Sequence, residues 1–412
     1  MKTDKKSKFV KILPLLLLTV FCLATVTALI PRIPPAPASV DNLAGLESYL
    51  QSLTSGGNPP GLSLVVVKDN SIIYNQAFGY ADQPGAIIAT PDTVYHWWST
   101  TKMFTATAIF QLVESDKLNL DDPVVDYLPF FQVEYPSSES LAITIRHLLN
   151  HSSGLPDNIP AVVGWMHFED QANFDQTDLL IKYLPHYSKL LFEPGTQSRY
   201  TNVGYMVLGA IIEQVSGETY EEYIHGHILS PLKMDQTDFV YRESMLPYAA
   251  VGMHPLIDLQ SAFLPFYYNG RLSKLIREVK DGKMWINRIH ADSNPPTGLI
   301  GPAEDLARFV AAHLNNGELD GYQMLSATSI HEMMTASHIT TQGGQIETAI
   351  QGLGWEICGQ DENFCLQRRG DGPGFGNVIR LYPESSLGFI ITANSTNIDR
   401  DGLMDLVVGL DW

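Results

Sequence analysis

An α+β fold is predicted for this 412-residue chain, with one antiparallel sheet built from the two ends and a mainly helical lobe inserted between them. Three observations predict it: strand-like runs soon after the start, strand-like runs again towards the end, and helical spacing through most of the middle. Residues 40–54 carry Leu43, Leu46, Leu50 and Leu53 on one side of a helix. Leu62–Val67 and Ser71–Phe78 are rich in β-branched and aromatic residues, and the turn Lys68-Asp69-Asn70 between them makes a hairpin. From Ser99 to about Leu118, Met103, Ala106, Ile109, Phe110 and Val113 form a buried helical stripe. Helical spacing recurs over 140–151, 176–184, 202–216, 219–229 and about 302–315, whereas 250–292 has no clear period. Strand patterns return at 352–358, 364–369, 376–382 and 387–393, separated by Gly, Pro, Asp or Asn. The predicted division is a sheet lobe from about 40–118 and 295–412 and a helical lobe of about 119–294, one unit over 40–412 with a cleft between lobes.

Composition narrows the function classes. With 45% hydrophobic and 17% charged residues, the chain is neither disordered nor a low-complexity scaffold. A net charge of −19 repels phosphate backbones, so no nucleic-acid partner is expected. Three cysteines are too few for a disulfide scaffold or a Cys-rich zinc module.

The first thirty residues differ from the rest. Five lysines up to Lys11 against the single Asp4 give a local charge of +4, leaving −23 on the remainder. An uncharged run of 19 residues, Ile12 to Ile30, follows. Basic then apolar is the pattern of an export signal over 1–30, with cleavage after Ala28 one reading. The same run approaches the length that spans a bilayer, so a tether through 12–30 is the other. The Pro-rich segment 31–39 reads as a linker, and either reading puts the body outside the cytoplasm, secreted, periplasmic or membrane-anchored. Cys358 and Cys365 would then stand opposite each other on a short hairpin, where oxidising conditions can join them. Asn150-His-Ser and Asn394-Ser-Thr are formal glycosylation sequons.

The familiar catalytic loops are absent: there is no Gly-x-Ser-x-Gly elbow, no phosphate loop and no complete His-Glu-x-x-His. Ser99-Thr-Thr-Lys102 stands where the extended segment Thr93–Trp98 gives way to the buried helix. Ser99 is thus expected at a helix N-terminus, where free N–H groups favour a developing anion. Lys102, three residues on, shares its face and can reach the hydroxyl. Tyr200-Thr-Asn202 follows the turn at Pro194-Gly195 and precedes a helix, so a phenol and an amide can both point into a cleft. Arg368-Arg-Gly370 ends a strand before Pro373-Gly374-Phe375, and a cation there could grip a substrate carboxylate. Trp97 and Trp98 could line an apolar acyl pocket or pack in the core.

Ser-x-x-Lys, Tyr-x-Asn and cation-x-Gly, in that order, resemble the serine β-lactamase and penicillin-binding-protein superfamily, and the Tyr-x-Asn form resembles its class C-like branch. Thr144–Pro156, Phe192-Glu-Pro-Gly195, Gly352-Leu-Gly-Trp355 and Pro373-Gly-Phe375 extend the likeness over roughly 45–396. The resemblance implies the β-lactamase/transpeptidase fold and a serine hydrolase without metal or cofactor. It assigns Ser99 as nucleophile, Lys102 as its proton partner, Tyr200 as base and then acid, and Asn202 as a holder of the substrate carbonyl or amide. It gives the oxyanion to the N–H groups of Ser99 and Asp371, beside Gly370. Arg368 stands where the family has Lys or His; it keeps the charge but cannot release a proton, so its role narrows to binding. His147 and His151 are read as structural. Three functions follow: a carboxylesterase, a β-lactamase or D-alanyl peptidase, or a catalytically silent binding protein that kept the fold. All three take a small molecule or peptide.

Overall fold

The computed structural model describes residues 33, 35–157, 166–168, 175–256, 272–335, 350–359 and 364–412. The signal segment 1–30 and part of the 31–39 linker lie outside the described residues, as do 257–271 within the stretch without a period. Leu43–Ser55 forms helix α1, opened by Asn42, whose side chain accepts from the Gly45 N–H at 3.0 Å. Gly61–Lys68 (β1) and Ser71–Asp82 (β2) pair antiparallel. Asp69 and Asn70 take φ of 47° and 65°, the left-handed pair that a tight hairpin turn requires. Ile87–Ile88 (β3) lies against β2.

The chain returns to this sheet with Ile350–Gln351 (β4), Glu356–Cys358 (β5), Cys365–Gly372 (β6), Phe375–Tyr382 (β7) and Leu387–Ala393 (β8). The eight strands stand in the order β4-β5-β6-β7-β8-β1-β2-β3, antiparallel throughout. The two chain ends join where β8 pairs with β1, from Leu62 opposite Ala393 to Lys68 opposite Leu387. The apolar run Leu64–Val67 of β1 follows from burial on both faces. Leu62, Leu64 and Val66 meet Leu46 and Leu50 of α1 together with Leu403, Met404, Leu406 and Val407 of a C-terminal helix, Arg400–Val408. Val65 and Val67 face the other way, towards Phe104, Phe309 and Val310.

That second face is covered by α2 (Lys102–Glu114) and by the helix Ala303–Leu314. Between them in sequence, α3 (Asn202–Ser216) is opened by Thr201 and closed by Gly217 at φ 79°. Val203, Tyr205, Met206 and Val207 of α3 belong to the same hydrophobic cluster as Phe104 and Phe309, so sheet and helical middle share one core.

Several expectations shift. The helix over 140–151 contracts to Ile145–Leu149, because the Thr144 side chain caps its start. The strand over 352–358 contracts to β5, because Gly354 turns at φ 95° where a Cβ would run into Ala106 of α2. The helix over 219–229 divides into Tyr220–Ile224 and a wider π-type turn, His225–Leu229. Part of the stretch without a period is a three-stranded sheet of Met253–Pro255, Ile276–Lys280 and Lys283–Ile286, strands too short for periodicity to register. Both sequons are buried: Asn150 is 3% and Asn394 0% exposed, which leaves no room for a glycan. Asn394 instead ties the end of β8 to its neighbours, donating to the Tyr80 and Ala81 carbonyls at 3.0 and 3.1 Å and accepting from the Gly61 N–H at 2.8 Å.

Replacing that side chain leaves buried backbone groups unpaired. Asn394→Ala is expected to cost about 2 kcal/mol of stability, read as a lower denaturant midpoint; an unchanged midpoint would contradict the tie.

Candidate active site

The chain reaches the site along Val94–His96, which pairs with Ile300–Pro302. Trp97 donates its indole N–H to the Gly301 carbonyl at 2.9 Å. Trp98 then takes a left-handed φ of 49°, stacked on His96 with ring centroids 3.9 Å apart. A side chain in that region costs about 1 kcal/mol or more. The bend turns the strand sharply into a 3₁₀ turn, Trp98–Thr101, and α2 starts only at Lys102. Ser99 therefore sits in a 3₁₀ turn that runs directly into the N-terminus of α2. The indoles are 0% and 5% exposed, so Trp97 and Trp98 both pack in the core.

Strand β6 holds this turn from behind. A Cβ on Gly370 would overlap the Trp97 carbonyl oxygen, and one on Gly372 would overlap the Trp98 indole. Only glycine lets β6 approach this closely. From β7, Asn377 Nδ2 donates to the carbonyls of His96, Trp97 and Gly370 at 3.0, 3.3 and 3.1 Å. A buried amide in an apolar strand is the sequence signal by which Asn377 could have been found.

The predicted triplets meet here. Ser99 Oγ lies 2.6 Å from the Tyr200 hydroxyl and accepts from Lys102 Nζ at 3.2 Å. Lys102 Nζ also donates to Asn202 Oδ1 at 2.7 Å and to the Pro296 carbonyl at 3.0 Å. The Tyr200 hydroxyl is 3.3 Å from Asn202 Oδ1. Ser99, Tyr200 and Asn202 are half-buried, while Lys102 is 0% exposed. Pro296 is carried on the short helix Asn294–Thr297, anchored by the Thr105 hydroxyl donating to the Pro295 carbonyl at 2.6 Å. Just before it, Asp292 pairs with buried His167 at 2.5 Å.

Two cations flank Tyr200. Lys102 Nζ is 4.7 Å and the Arg368 guanidinium carbon 5.6 Å from its ring centroid. Arg368 is 1% exposed; its Nε donates to the Ser99 carbonyl at 3.1 Å and it lies 3.8 Å from Glu356. The residue expected to grip a substrate carboxylate is thus buried beside the tyrosine ring and bonded to the Ser99 turn. Asp371 is exposed, with its backbone in the β6–β7 ladder opposite Gly376 and its carboxylate 2.5 Å from Arg400. Three residues before Arg368, β6 begins at Cys365, bonded to Cys358 of β5.

His147 caps its own helix, its Nδ1 accepting from the Thr144 N–H at 3.2 Å. His151 lies 4.6 Å from the Tyr200 ring and accepts from the Thr201 N–H at 3.3 Å. Burial, then the charges of Arg368 and Lys102, hold the His151 imidazole well below its ordinary pKa, so it supports Tyr200 as a neutral ring. Asp157, just after the Thr144–Pro156 segment, receives the Asn202 N–H at 2.7 Å and the Asn202 side-chain amide at 3.2 Å. Spacing gave no hint of it, because it reaches the site from a loop. Among the described residues, no group of three or more His, Cys, Asp or Glu side chains could hold a metal ion.

The Beta-lactamase family has a model that matches residues 46–409 of this chain. Protein flp of Staphylococcus aureus (strain MW2) is 26% identical over 354 residues, 86% of this chain and 63% of that protein. The chain therefore spans less than two thirds of that relative's length. A putative D-alanyl-D-alanine carboxypeptidase of Escherichia coli (strain K12) is 28% identical over 337 residues, 78% of this chain and 73% of that protein. The octameric penicillin-binding protein homologue from Pyrococcus abyssi superposes with a TM-score of 0.70 at 25% identity, covering 90% of this chain and 78% of that one.

The close approach at Gly370 yields a test. Gly370→Ala should displace the Trp97–Ser99 turn and slow fluorophosphonate labelling at least tenfold (about 1.4 kcal/mol in the barrier). Gly226→Ala, where a Cβ meets nothing within 4 Å, should leave the labelling rate unchanged. Equal rates in the two variants would remove the role given to β6.

Proposed function

The chain belongs to the beta-lactamase family, and from that membership we propose an exported serine hydrolase that cleaves ester or amide bonds through an acyl-enzyme on Ser99. One observation carries the reading: the Ser99 hydroxyl lies between a phenol at 2.6 Å and an amine at 3.2 Å. The three amine donors of Lys102 match three oxygens, those of Ser99, Asn202 and Pro296. Lys102 is therefore suited to remain an ammonium, and the proton of Ser99 goes to Tyr200.

As Ser99 Oγ bonds the substrate carbonyl carbon, its proton passes to the Tyr200 oxygen, which accepts it as a phenolate whose own proton has left to solvent. The two cations beside the ring stabilise negative charge on that oxygen before transfer. The N–H groups of Ser99 and Asp371 receive the oxyanion. Collapse breaks the bond to the leaving group, which takes the proton from Tyr200. Water then attacks the acyl carbonyl and gives a proton to Tyr200, which passes it to the departing Ser99 Oγ, so a carboxylic acid leaves and the Ser99 hydroxyl is restored. Asn202 positions Lys102, and Arg368 supplies a fixed charge, since its guanidinium does not release a proton. No metal or cofactor enters these steps.

Export is supported by the basic and then apolar start of the sequence and by the Cys358–Cys365 bond, which suits an oxidising compartment. Among the described residues no helix is long and apolar enough to cross a membrane; the uncharged run 12–30 is the proposed tether.

Ser99→Ala should abolish labelling by a fluorophosphonate or a fluorescent penicillin; persistent labelling would sink the nucleophile assignment. Intact mass after mixing the wild type with a p-nitrophenyl ester, a cephalosporin and a D-Ala-D-Ala peptide should reveal a transient adduct with turnover, and its identity selects the substrate class. Binding without any adduct would point to a silent binding protein. Arg368→Ala should lower kcat on neutral and carboxylate-bearing esters alike, about tenfold or more, because the guanidinium faces Ser99 and Tyr200. A loss confined to carboxylate substrates would return it to the gripping role.

A further inference from the structure

The geometry points to Asp157 as a positioning residue that fixes which end of the Asn202 amide faces the reaction centre, and so favours plain acyl groups over acylamido ones. The inference rests on the acyl-enzyme reading above. Asn202 stands between two groups of opposite hydrogen-bonding character. On one side is Lys102 Nζ, 2.7 Å from Asn202 Oδ1. On the other is the Asp157 carboxylate, 3.2 Å from Asn202 Nδ2. An ammonium only donates and a carboxylate only accepts, so a single orientation of the amide satisfies both. The carbonyl end must serve Lys102 and the Tyr200 hydroxyl, and the NH₂ end must turn to Asp157.

Asp157 is itself held firmly. Its Oδ1 receives the N–H groups of Asn202 and Val203 at 2.7 and 3.4 Å and the Thr201 hydroxyl at 3.4 Å. From its loop, the carboxylate faces the first backbone N–H groups of α3 and so meets the positive end of the helix dipole. Burial, the largest influence, leaves its carboxyl above the ordinary carboxylate range although these donors and Lys102 pull the other way, and the two backbone N–H groups on Oδ1 fix it as the acceptor. The relay therefore runs from Asp157 through the Asn202 amide to Lys102 and Ser99, with no substrate contact made by Asp157.

The orientation has a consequence for substrates. A carbonyl one residue from the scissile bond, as in an N-acyl amino acid, would have to compete with a charged carboxylate for the Asn202 NH₂. Hydrogen bonds to ionised acceptors are roughly twice as strong as those to neutral ones. A plain alkanoyl group has no such demand, so the site suits it better.

Asp157→Asn is the decisive variant, because it keeps shape and the helix-opening acceptor, and Asp and Asn are near-equal in that role. It replaces the acceptor facing Asn202 with an NH₂ and so favours reversal of the Asn202 amide. Two p-nitrophenyl esters of matched chain length, the pentanoate and the N-acetylglycinate, read the effect with one leaving group. In Asp157→Asn, kcat on the pentanoate should fall about 10- to 100-fold with little change in KM, as Lys102 loses its amide acceptor. The N-acetylglycinate should fall at least about threefold less, as a donor becomes available to its carbonyl. The thermal midpoint should hold within a few degrees.

Rates within twofold of wild type on both esters would overturn the positioning role. An equal fall on both would overturn the selectivity. In an Asn202→Ala background, Asp157→Asn should cost less than about twofold, whereas a purely structural role would cost the same in both backgrounds. If the Asn variant unfolds, this second background is read with Asp157→Ser. Failure of the acyl-enzyme reading is separate and visible in wild type: no adduct on Ser99 with either ester overturns both.

Discussion

A lysine amine with no solvent exposure sets the terms for the rest of the site. Leaving such a group without partners in a protein interior costs several kcal/mol. Lys102 meets this by drawing oxygens from three separate places: the Ser99 hydroxyl of its own turn, the Asn202 amide at the start of α3, and the Pro296 carbonyl on its short helix. Each partner is placed by a different part of the fold. The amine is thus the point where sheet side and helical side are brought into register, and the Ser99 hydroxyl is among its partners.

Charge at the site is arranged in layers. Lys102 and Arg368 flank the Tyr200 ring, and each has a carboxylate behind it, Asp157 through Asn202 and Glu356 across β5–β6. In a chain of net charge −19 the two cations make the Tyr200 oxygen a local exception to the surrounding acidity. Arg368 lies beside the ring as a fixed charge, since its guanidinium does not release a proton.

The sharp entry to Ser99 depends equally on backbone packing. Trp98 bends left-handed, Gly370 and Gly372 allow β6 to lie directly against that bend, and Asn377 holds three carbonyls around it. The pairing of β8 with β1 brings these late residues to an early turn, since β6 and β7 are carried on the C-terminal half of the sheet.

The sequence by itself determined the sheet from both chain ends, the buried helix after Ser99, α3 from Asn202 to Ser216 and the three triplets, because alternation, 3.6-residue spacing and turn residues are local properties. It could not determine the 3₁₀ turn before α2, the short sheet within 250–292 or the contraction of 140–151, where tertiary contacts override local preference. Nor could spacing indicate that Trp97 and Trp98 are buried, that Asn394 is a tie instead of a glycan site, or that Arg368 lies buried beside Tyr200. Asp157 is the clearest case. Nothing in its local sequence marks it; only the fold brings its carboxylate to the amide of Asn202, and only hydrogen-bond complementarity then fixes which end of that amide Lys102 receives.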